Sequence, residues 1–215
     1  MRTPTGQLAL TFALATSLSA VAGPALGQDP RLEGRVPEPT RVEIEAVLDS
    51  ALALELPTEP LVDRALEGAS KGAAPDLILT AVRRLAAELL AARDAMGPKS
   101  SVPEIVAGAS ALRAGAEPED LAYLRALRGN QTLTVATAVL ADLVAVGVPV
   151  DTAVSAVIAL AEATEDVEYL AFRRNVERDI ALGASPVTAL GVRLDAAAEF
   201  ADRPLPQRPQ RPRKP

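Results

Sequence analysis

The sequence predicts an all-α protein of about nine helices arranged in antiparallel pairs, and three observations carry that expectation. A phrase of the form Gly-Ala-x-Pro recurs as "GAAP" from Gly72, "GAEP" from Gly115 and "GASP" from Gly183, with an imperfect copy, "GVPV", from Gly147. The runs between these phrases repeat their apolar residues every three or four positions, which puts them on one face of a helix. No run alternates as a strand would, and the best candidate, "VGVPV" at 146–150, is interrupted by glycine and proline.

The recurrent phrase has a mechanical reading. A glycine just past a helix can take the left-handed conformation that closes the last turn, which costs most other residues about 1 kcal/mol. The next residue, Ala73, Ala116, Val148 or Ala184, is apolar and can fold back onto the helix just ended. Pro75, Pro118 and Pro186 then open the following helix, where a missing N–H does no harm. Each phrase is therefore a corner between antiparallel neighbours. The corner glycines are 43, 32 and 36 residues apart, and Pro60 and Pro103 each lie twelve residues before a corner, so the unit is a short helix, a corner and a second helix. Two architectures satisfy this pattern: an α-solenoid-like helical repeat, or an irregular helical bundle whose corners share good chemistry.

Taken in order, helices are expected at 41–56, 59–71, 75–96, 102–114, 118–128, 132–146, 150–163, 165–182 and 186–202. Thr40 with Glu43, and Ser101 with Glu104, read as capping boxes that start the first and fourth. The third is the most strongly patterned. Ile78, Val82, Leu85, Leu89, Ala92 and Met96 alternate four and three apart along one face.

Outside this body lie three other segments. Residues 1–27 read as a cleaved signal peptide: Arg2 precedes an apolar run at 8–22, and Ala25 and Gly27 satisfy the small-x-small rule for cleavage before Gln28, with Ala20 and Ala22 a second site. The run falls short of the roughly 20 residues a membrane span requires. Residues 28–39 mix charge, glycine and proline and read as a disordered linker. Residues 203–215, "RPLPQRPQRPRKP", are a Pro/Arg tail whose prolines at 206, 209, 212 and 215 recur every third residue, the period of polyproline II. Arg208, Arg211, Arg213 and Lys214 would then extend into solvent and could meet an anionic envelope polymer or lipid.

Charge and composition exclude several function classes. The chain holds 22 basic and 28 acidic residues, but residues 28–202 hold 16 basic against 28 acidic, a net of −12. An acidic body argues against nucleic acid, whose phosphates require a basic face. Cysteine and histidine are both absent, which removes disulfides, a lipid-bearing cysteine, the usual neutral-pH base and zinc sites of ordinary composition. The abundance of arginine over lysine, with much alanine, suggests a GC-rich bacterial gene.

Chemistry is correspondingly scarce. Ser70–Lys71 and Lys99–Ser100–Ser101 lack the Ser-x-x-Lys spacing that aims both groups one way on a helix. No phosphate-cradling glycine motif follows a strand. Paired carboxylates are the remaining acid–base option: Glu162, Glu165, Asp166 and Glu168 cluster beside Tyr169 and Phe172, which could serve a glycan-cleaving site or, less well spaced, a calcium ion. The plainer reading has Thr164 capping a helix whose first turn carries Glu165 and Asp166. "NQT" at Asn130 is read as a loop and cap.

The expectation is therefore an exported, non-enzymatic helical protein of the bacterial envelope that binds or scaffolds an unidentified protein partner, with no cofactor or metal and no nucleic acid. Two other readings stand beside it: a glycan-acting envelope enzyme using the carboxylate cluster, and a membrane-surface protein tethered by its basic tail.

Overall fold

The computed structural model describes residues 28–161 and 165–201. Among them are nine helices and no strand: α1 (Glu38–Ala53), α2 (Glu59–Ser70), α3 (Pro75–Met96), α4 (Val102–Ala114), α5 (Pro118–Arg128), α6 (Thr134–Ala145), α7 (Val150–Ala161), α8 (Asp166–Ala181) and α9 (Pro186–Ala201). The signal-like segment and the Pro/Arg tail lie outside the described residues.

All four expected corners form. Gly72, Gly115, Gly147 and Gly183 have φ of 65°, 111°, 94° and 103°. At each, the apolar residue after the glycine donates its N–H back five residues: Ala73 to the Gly68 carbonyl, Ala116 to Ala111, Val148 to Leu143 and Ala184 to Asp179, at 3.0 to 3.1 Å. These bonds satisfy carbonyls that a helix end otherwise leaves open. A fifth corner of the same kind joins α1 to α2 without glycine. Glu55 takes φ of 57°, and the N–H of the buried Leu56 bonds to the Ala51 carbonyl at 2.9 Å. A pattern search built on glycine passes over it.

The helices stack in two rows. The odd-numbered helices follow one another, α1 on α3, α3 on α5, α5 on α7 and α7 on α9, while α4, α6 and α8 form a second row joined to the first chiefly by α3–α4, α6–α7 and α8–α9. Every extensively packed helix pair is one or two apart in the chain, the arrangement of an array of stacked hairpins rather than of a bundle that closes first helix on last. Successive corners abut along one edge: a Cβ added at Gly115 would meet Cγ2 of Val150 at 3.1 Å, and one at Gly147 would meet Cγ of Pro186 at 3.5 Å.

α3 is the hub, packing against α1, α2, α4 and α5. Its expected stripe from Ile78 to Met96 is buried throughout. Each large side chain of this kind contributes about 1.5–3 kcal/mol by leaving water. Two mid-helix glycines let neighbours approach it closely: a Cβ on Gly68 would lie 2.9 Å from Ile78, and one on Gly108 would lie 3.1 Å from the Ala92 Cβ.

Three local expectations need correction. α1 starts at Glu38, and Thr40, expected as its cap, sits within the first turn and is buried. Pro37 and Pro39 are already compatible with helix entry, so they fix the start ahead of the threonine. Residues 28–39 are not a loose linker: Pro30–Leu32 forms a 3-10 turn, and Leu32 and Val36 are buried. Their burial outweighs a polar composition, and the turn that carries Leu32 packs on α2. α6 starts at Thr134, not Thr132, because the buried N–H of Leu133 is taken by the Glu104 carboxylate of α4 at 3.0 Å.

Substitution at the corners should act with opposite signs. Gly115→Ala, which imposes a side chain on a left-handed residue facing Val150, is expected to cost about 1–2 kcal/mol, whereas Glu55→Gly is expected to gain about 0.5–1 kcal/mol. Urea unfolding of the two variants followed by circular dichroism checks both.

Candidate functional site

The carboxylate cluster resolves into structural roles. Glu165, not Thr164, is the cap of α8, and its N–H donates to the Glu168 carboxylate at 2.9 Å in a capping box. Asp166 accepts from Nη2 of Arg128 at 2.9 Å. That guanidinium is buried, reaches the Thr132 carbonyl through Nε and lies 5.3 Å from the centroid of the Tyr169 ring. Tyr169 is itself fully buried and donates its hydroxyl to the Val157 carbonyl at 2.9 Å, and Phe172 is buried beside the core. Glu162 and Thr164 lie outside the described residues. The aromatic pair that could have served as a platform is thus core, and Asp166 ties α8 to α5.

The serine–lysine pairs also separate. The Lys71 ammonium bonds to Glu67 at 2.6 Å, and the Ser70 hydroxyl bonds to the Glu67 carbonyl at 2.8 Å, both within the last turn of α2. Lys99 and Ser100 border a cleft of about 440 Å³ between the α3–α4 and α5–α6 loops. Glu104 and Arg125 form its floor. Glu104 accepts from the N–H and hydroxyl of Ser101, both at 2.8 Å, from the N–H of Leu133 and from Nη2 of Arg125. Arg125 also donates to the carbonyls of Met96, Gly129 and Gln131. This clasp sews two loops and three helices together, and the Ser101–Glu104 box foreseen from the sequence is only its nearest part.

The electrostatics of Glu104 follow from this geometry. Burial alone pushes its carboxyl up, but the N–H groups of Ser101 and Leu133, the Arg125 guanidinium and the Ser101 hydroxyl together outweigh that and draw it down to about 2. The folded-state value lies below the ordinary 4.5, so the stabilisation is present above about pH 4.5 and is lost as pH falls through about 2.

Elsewhere the second row of helices is open. α2 packs on α3 but makes no comparable contact with α4, and a groove of about 560 Å³ runs between α2 and α4. Leu85 of α3 and, on α4, half-buried Val106 and exposed Val102 line it with apolar surface, and Ser110 and Arg113 continue the α4 side as polar groups. Its α2 wall is acidic. Glu59, Asp63 and Glu67 lie four residues apart and so share one stripe. Arg64 and Arg113 also border the groove, each committed to a carboxylate, Arg64 to Glu67 at 3.2 Å and Arg113 to Glu88 at 2.8 Å. Glu59 is held below the usual carboxylate range by a hydrogen bond from Arg31, and Glu67 by one from Lys71, so both stay ionised well into acid. The stripe was visible in the sequence as a four-residue acidic spacing. Nothing there marked it as bordering an opening, because the gap depends on how α4 sits over α3.

No protein-family model, no curated protein and no solved structure matches the chain. Among the described residues no group of three or more histidine, cysteine, aspartate or glutamate side chains is placed to hold a metal ion, and no helix is long and apolar enough to cross a membrane.

Two expectations separate these roles. Glu104→Gln should cost on the order of 3 kcal/mol at neutral pH and flatten the dependence of stability on pH between about 4.5 and 2, as followed by urea unfolding across that range. Asp166→Asn should cost about 1–3 kcal/mol and Glu168→Ala about 1 kcal/mol, each read as a lowered melting temperature.

Proposed function

We propose that this is an exported, non-enzymatic binding or scaffolding protein of the bacterial envelope, and that the groove between α2 and α4 is its partner-binding surface. The observation that carries the reading is the open place in the second row of helices, where an apolar floor lies beside an acidic wall. An extended segment laid there would bury apolar side chains on Leu85, Val102 and Val106 and set cations against Glu59, Asp63 and Glu67 in exchange for the solvent-exposed pairs these make with Arg31, Arg64 and Lys71. The chemistry favoured is a basic, proline-containing or otherwise extended peptide, because such a strand brings little ordering cost to the groove. Export rests on the leader-like residues 1–27 and fits a chain without cysteine, whose stability comes from its core.

The test is an array of short synthetic peptides, basic, acidic and apolar, probed with the chain from Gln28. Basic peptides should be retained, and Val102→Arg, at an exposed position bordering the groove, should abolish retention without lowering the melting temperature. Retention of no peptide, or retention indifferent to Val102→Arg, overturns the reading. An intact-mass measurement on protein recovered from the envelope fraction should find Gln28 at the amino terminus.

A further inference from the structure

We infer that Gln28, once residues 1–27 are removed, closes on its own side chain to a pyroglutamyl residue, so that the processed chain carries no amino-terminal charge. The inference rests on the reading of those residues as a cleaved leader, and it assigns a modification to the end that cleavage exposes.

The reaction needs nothing beyond the residue itself. The freed α-amine attacks Cδ of the Gln28 side-chain amide. A bond forms between that nitrogen and Cδ, the bond from Cδ to Nε2 breaks, one proton passes from the attacking nitrogen to the departing one, and ammonia leaves. The product is a five-membered lactam. An α-amine titrates near about 7.7–8.0, so on the order of a tenth of it is uncharged and nucleophilic at pH 7. Holding amine and amide in one residue supplies the proximity that an attack between separate molecules lacks.

The fold sets a boundary at this residue. Asp29 is held: its carboxylate accepts from the Arg31 N–H at 2.9 Å and from the Arg31 guanidinium at 2.8 to 3.2 Å, and its carbonyl accepts from the Leu32 N–H at 3.1 Å. Arg31 also donates twice to Glu59 of α2, at 2.7 and 2.8 Å, and Leu32 is buried. Gln28 lies just outside this anchored turn. It is exposed, and no hydrogen bond among the described residues reaches it. Its side chain is therefore free to swing back onto its own nitrogen without undoing a contact of the fold. The acid nearest in sequence, Asp29, is already committed to Arg31 rather than left to pair with the released amine.

The alternative leader site gives a different chemical end. Cleavage after Ala22 starts the chain at Gly23, which has no side-chain amide and cannot cyclise. Cleavage before Gln28 followed by ring closure leaves an end with no amine for an aminopeptidase, one residue ahead of a folded turn.

The experiment expresses the full chain, leader included, in a bacterial host and reads the intact mass of the envelope fraction after an acid quench. The expected mass is that of Gln28 to Pro215 less one ammonia, and Gln28→Ala should retain the full mass of its residues. Ring closure is then timed at neutral pH on the chain from Gln28, freshly released from a removable amino-terminal fusion, beside a synthetic peptide of residues 28–35. The two rates should agree within roughly threefold, since the fold leaves Gln28 unheld. A chain that begins at Gln28 and keeps its ammonia, or a folded chain that cyclises about tenfold or more slowly than the peptide, overturns the inference and leaves export standing. A chain that begins at Gly23, or that keeps residues 1–27, overturns it together with the cleavage point on which it rests.

Discussion

The fold depends on one backbone constraint, the left-handed residue that follows a helix and lets the next N–H reach back to a carbonyl of the turn before. It reverses the chain in two residues and satisfies carbonyls that the helix end otherwise leaves open. Reversal after α2, α4, α6 and α8 sets the odd helices parallel to one another, and the abutment of Gly115 on Val150 and of Gly147 on Pro186 holds successive corners in line. Packing then follows, since helices returned to the same edge present their apolar stripes to the same neighbours. Alanine and the glycines at 68 and 108 let these rods come close, which compensates for the small area each alanine buries.

Polar groups do the complementary task on the opposite edge. There the connections are less regular, and Glu104 with Arg125 stands in for a shared corner geometry by bonding to backbone from two loops. Arg128 performs a similar service between α5 and α8, sheathed by Tyr169 and neutralised by Asp166. Both are buried ionic devices. Removing one partner of either strands a charge, which makes them specifiers of arrangement more than sources of net stability.

Much of the fold was legible in the sequence because it is written in local chemistry. The Gly-Ala-x-Pro corners, the α3 stripe and the Ser101–Glu104 box each need only neighbours within a few residues, and they stand where that chemistry puts them. The remaining features are set by non-local contacts. Leu32 and Val36 look like linker until the fold buries them, and the start of α6 shifts because a carboxylate from α4 takes the Leu133 N–H. Glu55 hid a corner by lacking the residue type that normally announces one. The groove was the least legible feature, since an opening is defined by what fails to touch. The Glu165–Glu168 cluster shows the reverse case, in which an eye-catching acidic run is absorbed by a helix start and a buried arginine.

The missing α2–α4 contact has a mechanical consequence. α1 and α2 each meet the rest of the molecule chiefly through α3, so the amino-terminal end is joined to the array through a single rod. In a linear array, each unit's persistence is set by its own interfaces, so these two helices can fray from α3 while the layers beyond α4 stay folded. A strand lying between α2 and α4 would bridge that seam and splice the loose end to the remainder, so that occupancy of the groove and solidity of the amino-terminal end rise together.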